Sequence, residues 1–384
     1  MACLACICAA VGVVEFLLHI RKLNSIDIRI VVNGSRGKSS VTRLIAAGLR
    51  AAGVKVFAKT TGTAARMVYP DGNEAPINRR GNPNIIEQRY VVNEAVRVGA
   101  TAMVIECMSI RPELQKVEVQ RLINPTIYVI TNVRSDHLEV MGPTIEDAAT
   151  AMLEAAPKHA IIMTAEDRIF QYMEQTADRL GLKLMQADMS LVTDSDMLNF
   201  PYIEHKENVA LALTVLKQLG ISRDLALQGM YNVKPDPGAL RVYEIEEDGK
   251  HLYFVNAMAA NDPDSTRIIW ERLAKNYEYR VVLINCRADR VERSKQLARL
   301  CATCLPADYY VVTGYLTKVF IKHAMACNIP RTKLIDMGAS SPAEIYTKVT
   351  SIAVDGSLIF AIGNIVVLGH EIVSYFVNKA AEDG

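Results

Sequence analysis

Short apolar runs recur along the chain, and each of them ends in a polar or glycine-bearing turn. The runs are rich in β-branched residues, and stretches with helical periodicity separate them, which predicts alternating strands and helices. This alternation is typical of open, mostly parallel sheets, so we expect α/β domains that bind ligands at the carboxyl ends of their strands. Strands are predicted at 28–32, 54–58, 102–105, 126–130, 161–164, 252–255, 280–285, 308–314 and 357–364.

A cluster of Pro, Asp and Gly at 235–238 interrupts the alternation and indicates a domain boundary. The chain of 384 residues is long enough for two such domains. We expect a hydrophobic helix at 1–23, a first α/β domain at 24–236 and a second at 237–384. The segment at 70–84 is rich in Pro, Gly, Asn and Arg, and a long loop is predicted there.

The N-terminal segment is a candidate membrane anchor, because residues 2–18 are apolar except for Glu15. The run is at the lower limit of length for a spanning helix, and a carboxylate would be costly near the bilayer centre. Basic residues follow the run at Arg21 and Lys22, so a spanning anchor would leave the body of the protein in the cytoplasm. The alternative is a helix that packs against the protein itself or against membrane subunits.

A glycine-punctuated turn follows the first strand and precedes a helix, which is the arrangement of a phosphate loop. Gly34 and Gly37 allow successive N–H groups to face an anion at the positive end of the helix. Lys38 would reach the β- and γ-phosphates of ATP, and Ser39 would offer its hydroxyl to Mg²⁺. Two residues separate the glycines, where the general loop has four, so a simple turn at a helix N-terminus remains the alternative. The predicted nucleotide-binding residues are Gly34, Ser35, Arg36, Gly37, Lys38, Ser39 and Ser40.

Polar side chains also follow the next strands, at the same predicted edge of the sheet. Glu106 comes directly after one strand, and it can supply an oxygen ligand to a hard cation held between phosphates. His137 lies after the following strand. Histidine is a less usual ligand for Mg²⁺, so on chemistry alone a structural histidine is the simpler interpretation.

The composition is that of a globular protein, with 50% hydrophobic residues, 22% charged residues and a formal net charge of +1. A near-neutral chain has no bulk attraction for nucleic acid, so no nucleic-acid partner is expected. The eight cysteines are expected to stay reduced in a cytoplasmic body. Cys301 and Cys304 have the CxxC spacing, but no second pair accompanies them, and a structural role is predicted.

The order of these motifs resembles that of the Mur ligase family of ATP-dependent amide-forming enzymes. The shared order is Gly-x-x-Gly-Lys-Ser, then a strand ending Glu-x-x-Ser, then Thr-Asn-x-x-x-Asp-His-Leu-Glu-x-x-Gly. Within that family the chain is most similar to the catalytic subunits of poly-γ-glutamate synthases. This closer similarity rests on the segments 59–63, 106–108, 136–137, 140–144, 235–239, 259–262, 285–291 and 363–365.

The resemblance implies a P-loop Mur-ligase-type central ATPase domain and a smaller Rossmann-like C-terminal α/β domain, preceded by the N-terminal hydrophobic helix. It implies an ATP-dependent acid–amino-acid ligase that polymerises glutamate through γ-linkages, releases ADP and passes through an acyl phosphate. ATP and Mg²⁺ are the implied cofactors. The implied partners are glutamate, the growing poly-γ-glutamate chain, small membrane subunits of the synthase complex and further copies of the chain, at the cytoplasmic face of the cell membrane.

The resemblance also assigns catalytic and metal-binding roles to individual residues. Lys38, Glu106, His137 and Arg241 are the implied catalytic residues. Arg241 matches the family's linker arginine, which contacts the γ-phosphate. Ser39, Glu106 and His137 are the implied metal ligands.

Nucleotide contacts carried over from the family involve residues further along the chain. Asn208 would contact the adenine, although a polar residue in the first turn of a helix is an equally compatible interpretation. Either Asn256 or Asp262 aligns with the family's ribose-binding aspartate, so that role stays open. Many Mur ligases carry a lysine used as a metal-bridging carbamate where this chain has Ala151 and Met152, and we therefore predict no carbamylated lysine.

Arginines near the strand ends are candidates for holding substrate carboxylates, because guanidinium groups bind carboxylates in a bidentate way. Solvated surface charges are the alternative interpretation of the same residues. The candidate substrate-binding residues are Thr61, Arg66, Arg79, Arg80, Arg287, Asp289, Arg290 and Arg293.

Three alternative functions share the phosphate loop. A ligase similar to folylpolyglutamate synthase would also make γ-glutamyl amides. A phosphotransferase would form ADP and a phosphorylated product without an amide, and a nucleotide-binding scaffold would bind ATP without catalysis.

Overall fold

The computed structural model describes residues 2–61, 65–79, 81, 83–136, 138–200, 202, 204–234, 242–258, 263–366 and 368–382, except for the side chains of 2–5, 8, 264, 381 and 382. The chain divides into two compact units, Met1–Pro237 and Gly238–Gly384. Each unit is built on one sheet and is described by itself.

The first unit contains an eight-stranded sheet with the strand order β4-β3-β2-β5-β1-β6-β7-β8. All neighbours run parallel except β2–β3 and β3–β4, which are antiparallel. The strands are β1 (Ile28–Asn33), β2 (Val56–Thr60), β3 (Arg66–Val68), β4 (Glu74–Pro76), β5 (Ala102–Glu106), β6 (Ile127–Ile130), β7 (Ile161–Thr164) and β8 (Lys183–Gln186).

Helices cover this sheet and bury its apolar faces. They are α1 (Ala2–Asn24), α2 (Lys38–Ala51), α3 (Glu87–Arg97), α4 (Pro112–Val117), α5 (Leu138–Met141), α6 (Ile145–Ala155), α7 (Phe170–Leu180), α8 (Asp194–Leu198), α9 (Lys206–Gln218) and α10 (Arg223–Tyr231). A π-helical segment, Glu118–Ile123, continues α4. The central strand β1 is buried because it lies between parallel neighbours, as its run of Ile and Val predicts.

The register of the central strands sets the position of the functional edge. Val32 of β1 pairs with Glu106 of β5, and Asn33 pairs with Ile130 of β6. The turn after β1 therefore begins beside Glu106 on one side and beside the end of β6 on the other. This is the edge at which parallel α/β sheets bind ligands.

Helix α2 packs tightly against its neighbours in the first unit. Gly229 of α10 lies so close that a Cβ there would be 2.5 Å from the carbonyl oxygen of Ala47. A Cβ at Gly48 would be 2.3 Å from a methyl group of Leu216 in α9. Since close-packed interiors have low compressibility, α2 and the turn at its N-terminus have little room to move.

The second unit contains a six-stranded sheet with the order β13-β12-β11-β14-β10-β9, in which only β9 is antiparallel to its neighbour. Its strands are β9 (Val242–Glu247), β10 (Lys250–Asn256), β11 (Arg280–Cys286), β12 (Tyr309–Gly314), β13 (Leu334–Gly338) and β14 (Leu358–Gly363). Its helices are α11 (Pro263–Leu273), α12 (Val291–Cys304), α13 (Thr317–Ala326), α14 (Pro342–Ile352) and α15 (Leu368–Glu382).

The C-terminal end of the N-terminal helix α1 packs on the first unit. His19 and Leu23 are buried, and the ring of His19 is hydrogen-bonded to the carbonyl oxygen of Leu122 at 2.8 Å. Towards the N-terminus of the helix, apolar side chains such as Val11 and Leu18 are half exposed. Within the described part of the chain, no helix is both long enough and apolar enough to cross a bilayer.

Several elements differ from the sequence-based expectation. The segment at 70–84 was expected to be one long loop, but it contains β4, which pairs with β3. The edge strands β8, β9 and β13 were not predicted, because most of their side chains are partly buried or exposed and the apolar signal is weak there. Both sheets are therefore wider than the apolar runs alone indicate.

Candidate functional site

The turn between β1 and α2 requires glycine at two positions. Gly34 has a φ of 126°, and a Cβ there would be 2.1 Å from the hydroxyl oxygen of Thr131. Gly37 has a φ of 81°, and a Cβ there would be 2.7 Å from Oδ1 of Asn208. Any other residue would have both an unfavourable backbone conformation and a collision, so the turn keeps the shape of a phosphate loop.

The segment that follows β6 braces this loop. The carbonyl oxygen of Asn132 accepts from the Ser35 N–H at 2.9 Å, and its Oδ1 accepts from the Arg36 N–H at 3.1 Å. The hydroxyl of Thr131 donates to the Arg36 carbonyl at 2.6 Å. Because these early amides are already used, a phosphate in the loop would be contacted by the amides of Gly37 to Ser40, which have no partner within the helix.

Lys38 lies over the loop. Its ammonium donates to the carbonyl oxygen of Gly34 at 2.6 Å and to that of Ser35 at 3.3 Å. These are the carbonyls that line the bend of the loop, so the positive charge is held next to the amides that begin α2. This placement suits the binding of a phosphate group.

Two groups donate hydrogen bonds to the carboxylate of Glu106, which is buried. The hydroxyl of Ser39 donates to its Oε2 at 2.8 Å, and the backbone N–H of Thr61 donates to the same oxygen at 2.6 Å. The Ser39 hydroxyl and the carboxylate supply adjacent oxygen donors, which fits a cation such as Mg²⁺ that keeps several waters and takes further ligands from phosphates. Among the described residues, no group of three or more His, Cys, Asp or Glu side chains forms a metal site.

A cavity of about 260 Å³ lies in front of these groups. Its wall is formed by the phosphate loop, the turn after β5 and the region after β6. The lining residues are Asn33, Gly34, Ser35, Arg36, Lys38, Thr61, Glu106, Cys107, Met108, Ser109, Ile110, Gln115, Asp136, Met141 and Met152. Arg36 and Asp136, which both line this cavity, form an ion pair at 3.3 Å.

Asn208 of α9 lies against the loop at Gly37. It is buried, and its amide donates to Oε1 of Glu204 at 2.9 Å. Its Oδ1 is the atom nearest to the Cβ position of Gly37. The sequence-predicted adenine residue is thus next to the phosphate loop, held in place by a buried carboxylate.

The candidate substrate residues of the first unit are in different surroundings. Thr61 lines the cavity. Arg79 forms a bidentate pair with Glu87, with Nε and Nη2 at 2.6 and 3.1 Å from the two carboxylate oxygens. Burial alone would raise the pKa of Glu87, but the hydrogen bond from Arg79 and the charge of Lys59 outweigh it and lower the pKa. Arg66 begins β3.

The candidate residues of the second unit lie at the carboxyl end of β11. Arg287 and Asp289 form an exposed pair, with N–O distances of 2.8 and 2.7 Å, which lowers the pKa of Asp289. Arg290 directly precedes α12, and Arg293 is in its first turn. Asn256 ends β10, and its Oδ1 accepts from the Met258 N–H at 3.2 Å.

Several predicted site residues lie outside the described residues, namely Arg80, His137, Arg241 and Asp262. Thr131 and Asn132 belonged to a quoted motif, but the sequence gave no reason to make them the brace of the loop. The missing signal is the register, because Asn33 pairs with Ile130 and so brings the following residues against the turn.

Comparison with known proteins identifies the family. The capsule biosynthesis protein CapB of Bacillus anthracis is 37% identical over 360 residues, covering 92% of this chain and 77% of that protein. The PGA synthase CapB of Bacillus subtilis (strain 168) is 37% identical over 361 residues, covering 92% of this chain and 91% of that protein. A profile of the poly-gamma-glutamate synthase CapB C-terminal domain matches residues 242–379, and one of the Mur ligase middle domain matches residues 32–234.

The chain belongs to the poly-γ-glutamate synthase CapB family of Mur ligases. Solved structures share the CapB fold at low sequence identity. Escherichia coli FolC in complex with DHPP and ADP has a TM-score of 0.71 at 16% identity, over 96% of this chain and 92% of that one. The bifunctional folylpolyglutamate synthase/dihydrofolate synthase of Yersinia pestis, complexed with AMPPNP and a Mn ion, has a TM-score of 0.70 at 14% identity. The match covers 94% of this chain and 92% of that one.

Family membership and fold together make this CapB-family chain an ATP-dependent ligase with the Mur-ligase architecture. The phosphate loop, the Lys38 ammonium and the Ser39–Glu106 pair are the parts of that architecture that the described residues bring together. The residues of the second unit contribute a separate, exposed set of charges.

Proposed function

We propose that this protein polymerises glutamate through γ-linked amides at the expense of ATP, with Mg²⁺ as the metal ion. The relatives named for poly-γ-glutamate synthesis support this substrate. A structural neighbour of the same fold has been solved with Mn, AMPPNP and L-glutamate bound, which is consistent with a nucleotide, a divalent cation and an amino-acid substrate.

The chemistry that the site must perform follows from the substrate. A carboxylate resists attack by an amine because it is anionic and its oxygen is a poor leaving group. A γ-carboxylate oxygen therefore attacks the γ-phosphorus of ATP, the bond to the β-phosphate oxygen breaks, and ADP leaves. The α-amine of another glutamate then attacks the acyl carbon, inorganic phosphate leaves with the bonding electrons, and the amine loses a proton to give the amide.

The phosphate loop stabilises the first of these steps. The amides of Gly37 to Ser40 and the Lys38 ammonium surround the position of the transferring group, where negative charge is spread over the phosphoryl oxygens. Lys38 exchanges its two carbonyl partners for phosphate oxygens when ATP binds. Since the loop is rigid, little reorganisation is needed at the moment of reaction.

Ser39 and Glu106 are the residues that would hold Mg²⁺. The metal ion would neutralise phosphate charge and orient the β- and γ-phosphates. Thr61 keeps the Glu106 carboxylate in place through its N–H. His137 is proposed as a further ligand, and Arg241 as a γ-phosphate contact, by resemblance to the family.

The remaining roles are also proposals. Asn208 contacts the adenine, and Asn256 or Asp262 contacts the ribose. The substrate carboxylates are held by Arg79, Arg80 and the charged group that follows β11. The domain boundaries at 23/24 and 236/237 are proposed as functional divisions of the chain.

We further propose that the protein works at the cytoplasmic face of the cell membrane with small membrane subunits, as a homo-oligomer. The half-exposed apolar side chains of α1 support this, because a contiguous exposed apolar helix is typical of an interaction surface. Val11, Val14 and Leu18 are 50–54% exposed. These residues are offered as the contact with the membrane partners.

The observation that carries the proposal is the convergence of Ser39, Thr61 and Glu106 beside the phosphate loop. The test uses the full chain, reconstituted with its membrane partners, with ATP, Mg²⁺ and isotope-labelled glutamate, and with hydroxylamine as a trap. We expect glutamate-dependent release of ADP and phosphate, together with a γ-hydroxamate or a γ-linked product. ATP turnover that is indifferent to glutamate would contradict the proposal.

The likeness in fold to folylpolyglutamate synthases supports a second candidate, a γ-glutamyl ligase acting on a folate-type acceptor. The same assay distinguishes the two. Addition of labelled glutamate to a reduced folate, without formation of a glutamate polymer, would favour the second candidate.

A further inference from the structure

A continuous chain of buried polar contacts lies behind the phosphate cavity. Lys59, Gln88 and Glu118 are all fully buried. The Lys59 ammonium lies 2.9 Å from Oε1 of Glu87 and 3.3 Å from Oε1 of Gln88. The amide of Gln88 donates to Oε1 of Glu118 at 2.5 Å. None of these residues was assigned a role by the motifs of the phosphate site.

Glu118 is the inner end of this series of polar contacts, and it holds the turn that follows β5. Its carboxylate accepts from the backbone N–H groups of Met108 and Ser109, each at 3.0 Å, and from the Ser109 hydroxyl. The thiol of Cys107 donates to it at 3.5 Å. A buried carboxylate is tolerated only with such donors, so Glu118 and the turn depend on each other.

This turn forms part of the wall of the cavity. Cys107, Met108 and Ser109 all line it, and they directly follow Glu106 in the chain. Lys59 reaches the same turn, because its ammonium lies 3.5 Å from the sulfur of Met108. Glu118 also begins the π-helical segment that continues α4, a local irregularity that is frequent at functional sites.

We propose that Glu118 is a positioning residue for the metal site, supported by Gln88 and Lys59. It fixes the turn 107–109, and through that turn it fixes the direction of the Glu106 carboxylate. Mg²⁺ demands near-ideal octahedral geometry, so a small rotation of the Glu106 carboxylate weakens the binding of Mg²⁺. The inference rests on the proposed role of Glu106 as a metal ligand.

A merely structural role for Glu118 predicts a different result. Loss of a buried carboxylate that accepts several hydrogen bonds lowers the stability of the fold in either case. Only a positioning role also changes the dependence of nucleotide binding on Mg²⁺. The metal titration, measured below the melting temperature of each variant, is therefore the decisive readout.

The experiment compares three variants of the full chain with the unmodified protein. Glu118→Gln keeps the shape of the side chain, but it places an amide donor among the donors of Gln88, Met108 and Ser109. Gln88→Met removes one support and leaves Glu118 in place. Glu74→Gln is the matched control, because Glu74 pairs with the buried Arg43 in the same unit and lines no part of the phosphate cavity.

Each protein is titrated with Mg²⁺ while the binding of a fluorescent ATP analogue is followed, and its thermal unfolding is recorded. We expect Glu118→Gln to raise the Mg²⁺ concentration for half-maximal binding roughly tenfold, the lower end of the range for residues that orient metal ligands. Gln88→Met should shift it in the same direction by less. Glu74→Gln should unfold at a lower temperature with an unchanged titration.

Coincident Mg²⁺ titrations of Glu118→Gln and the unmodified protein would overturn the inference. If Glu118→Gln does not fold, an unchanged titration for Gln88→Met would overturn it instead. Failure of the proposed function is recognised separately, as an absence of glutamate-dependent ADP release by the unmodified protein. The binding titration does not depend on that reaction and still reports on the position of Glu106.

Discussion

The carboxyl edges of the two sheets differ in where they keep their charges. In the first unit, several charged side chains at or behind the edge are buried, namely Lys59, Glu106, Glu118, Glu166 and Glu204. Among the described residues of the second unit, no Asp, Glu, Lys or Arg is buried, and the pair of Arg287 and Asp289 is exposed. The two sheets are nonetheless both mostly parallel α/β sheets.

The difference shows how a parallel sheet can serve two chemical tasks. Buried charges must be held by fixed donors and acceptors, so the first edge is preorganised and suits the transfer of a phosphoryl group. At the second edge, Asn285 is the buried polar centre, and its amide donates to the Asn364 carbonyl at 2.7 Å. Exposed arginines around such a centre are free to exchange an internal partner for a carboxylate of the substrate.

Loss of the Lys38 ammonium is the largest effect expected at the first edge. We expect Lys38→Met to lower the rate of ADP release at least about a hundredfold, because a preorganised positive group at the transferring phosphate is removed. The rate is measured at saturating ATP and Mg²⁺. Lys55→Met, at an exposed position just before β2, serves as the control and should keep its rate. Near-normal turnover by Lys38→Met would contradict the preorganised edge.

A methyl group added to the phosphate loop tests its rigidity. Gly37 and Gly53 have similar φ values of 81° and 77°. A Cβ added at Gly37 would collide with Asn208, whereas a Cβ added at Gly53 would have no neighbour within 4 Å. Both changes to Ala incur backbone strain of about 1–2 kcal/mol. We expect Gly37→Ala to lose additional stability and to weaken binding of an ATP analogue, whereas Gly53→Ala should bind it normally. Equal effects of the two changes on binding would show that the loop adapts.

The central elements of both units were predictable from the sequence because they are buried on both faces. The runs at 28–32 and 280–285 consist of residues that favour strands, and they form β1 and β11. The edge strand β9 has one buried residue, Ile245, among exposed and partly buried positions, and it pairs on one side only. Its local signal is therefore too weak to separate it from a loop.

The chemistry of the site was predictable where it depends on local sequence. Lys38 and Ser39 follow the glycines directly, and Glu106 ends a strand that pairs with β1. The contacts of Asn132 depend instead on the register of β6 against β1, and the contact of Glu118 with Gln88 depends on how α3 packs against the segment that follows α4. No residue pattern within a single segment encodes such contacts.

A substitution at the exposed edge of the second unit is expected to have a smaller effect on activity than those in the phosphate loop. We expect Arg287→Ala to raise the KM for glutamate by roughly tenfold, because one charge-assisted hydrogen bond to a carboxylate is lost. Thermal unfolding should be unchanged, since the pair with Asp289 is exposed. Lys295→Ala removes a similar exposed pair with Glu292 within α12 and is the control. An unchanged KM for Arg287→Ala would leave the second edge without a substrate role.

The smallest effect concerns Glu87, which pairs with Lys59 at the outer end of the series of buried polar contacts. The Arg79 and Lys59 partners lower the pKa of Glu87 in the folded protein, so its ionised form stabilises the fold above the ordinary pKa of glutamate, about 4.3. That stabilisation is lost as the pH falls through the lowered pKa, because the protonated carboxyl no longer pairs with the cations. The measurement is the free energy of unfolding between neutral and acidic pH for the unmodified protein and Glu87→Gln.

The difference between the two curves should shrink as the pH falls, since all other carboxylates contribute equally to both. Glu292→Gln offers the matching measurement in the second unit. The pair of Glu292 with Lys295 is largely exposed and screened by solvent, so its difference curve should stay close to zero throughout. A difference for Glu87 that does not change with pH would mean that its pairing with Lys59 and Arg79 adds nothing through charge. The contrast between buried and exposed charges would then not extend beyond the immediate surroundings of Glu106.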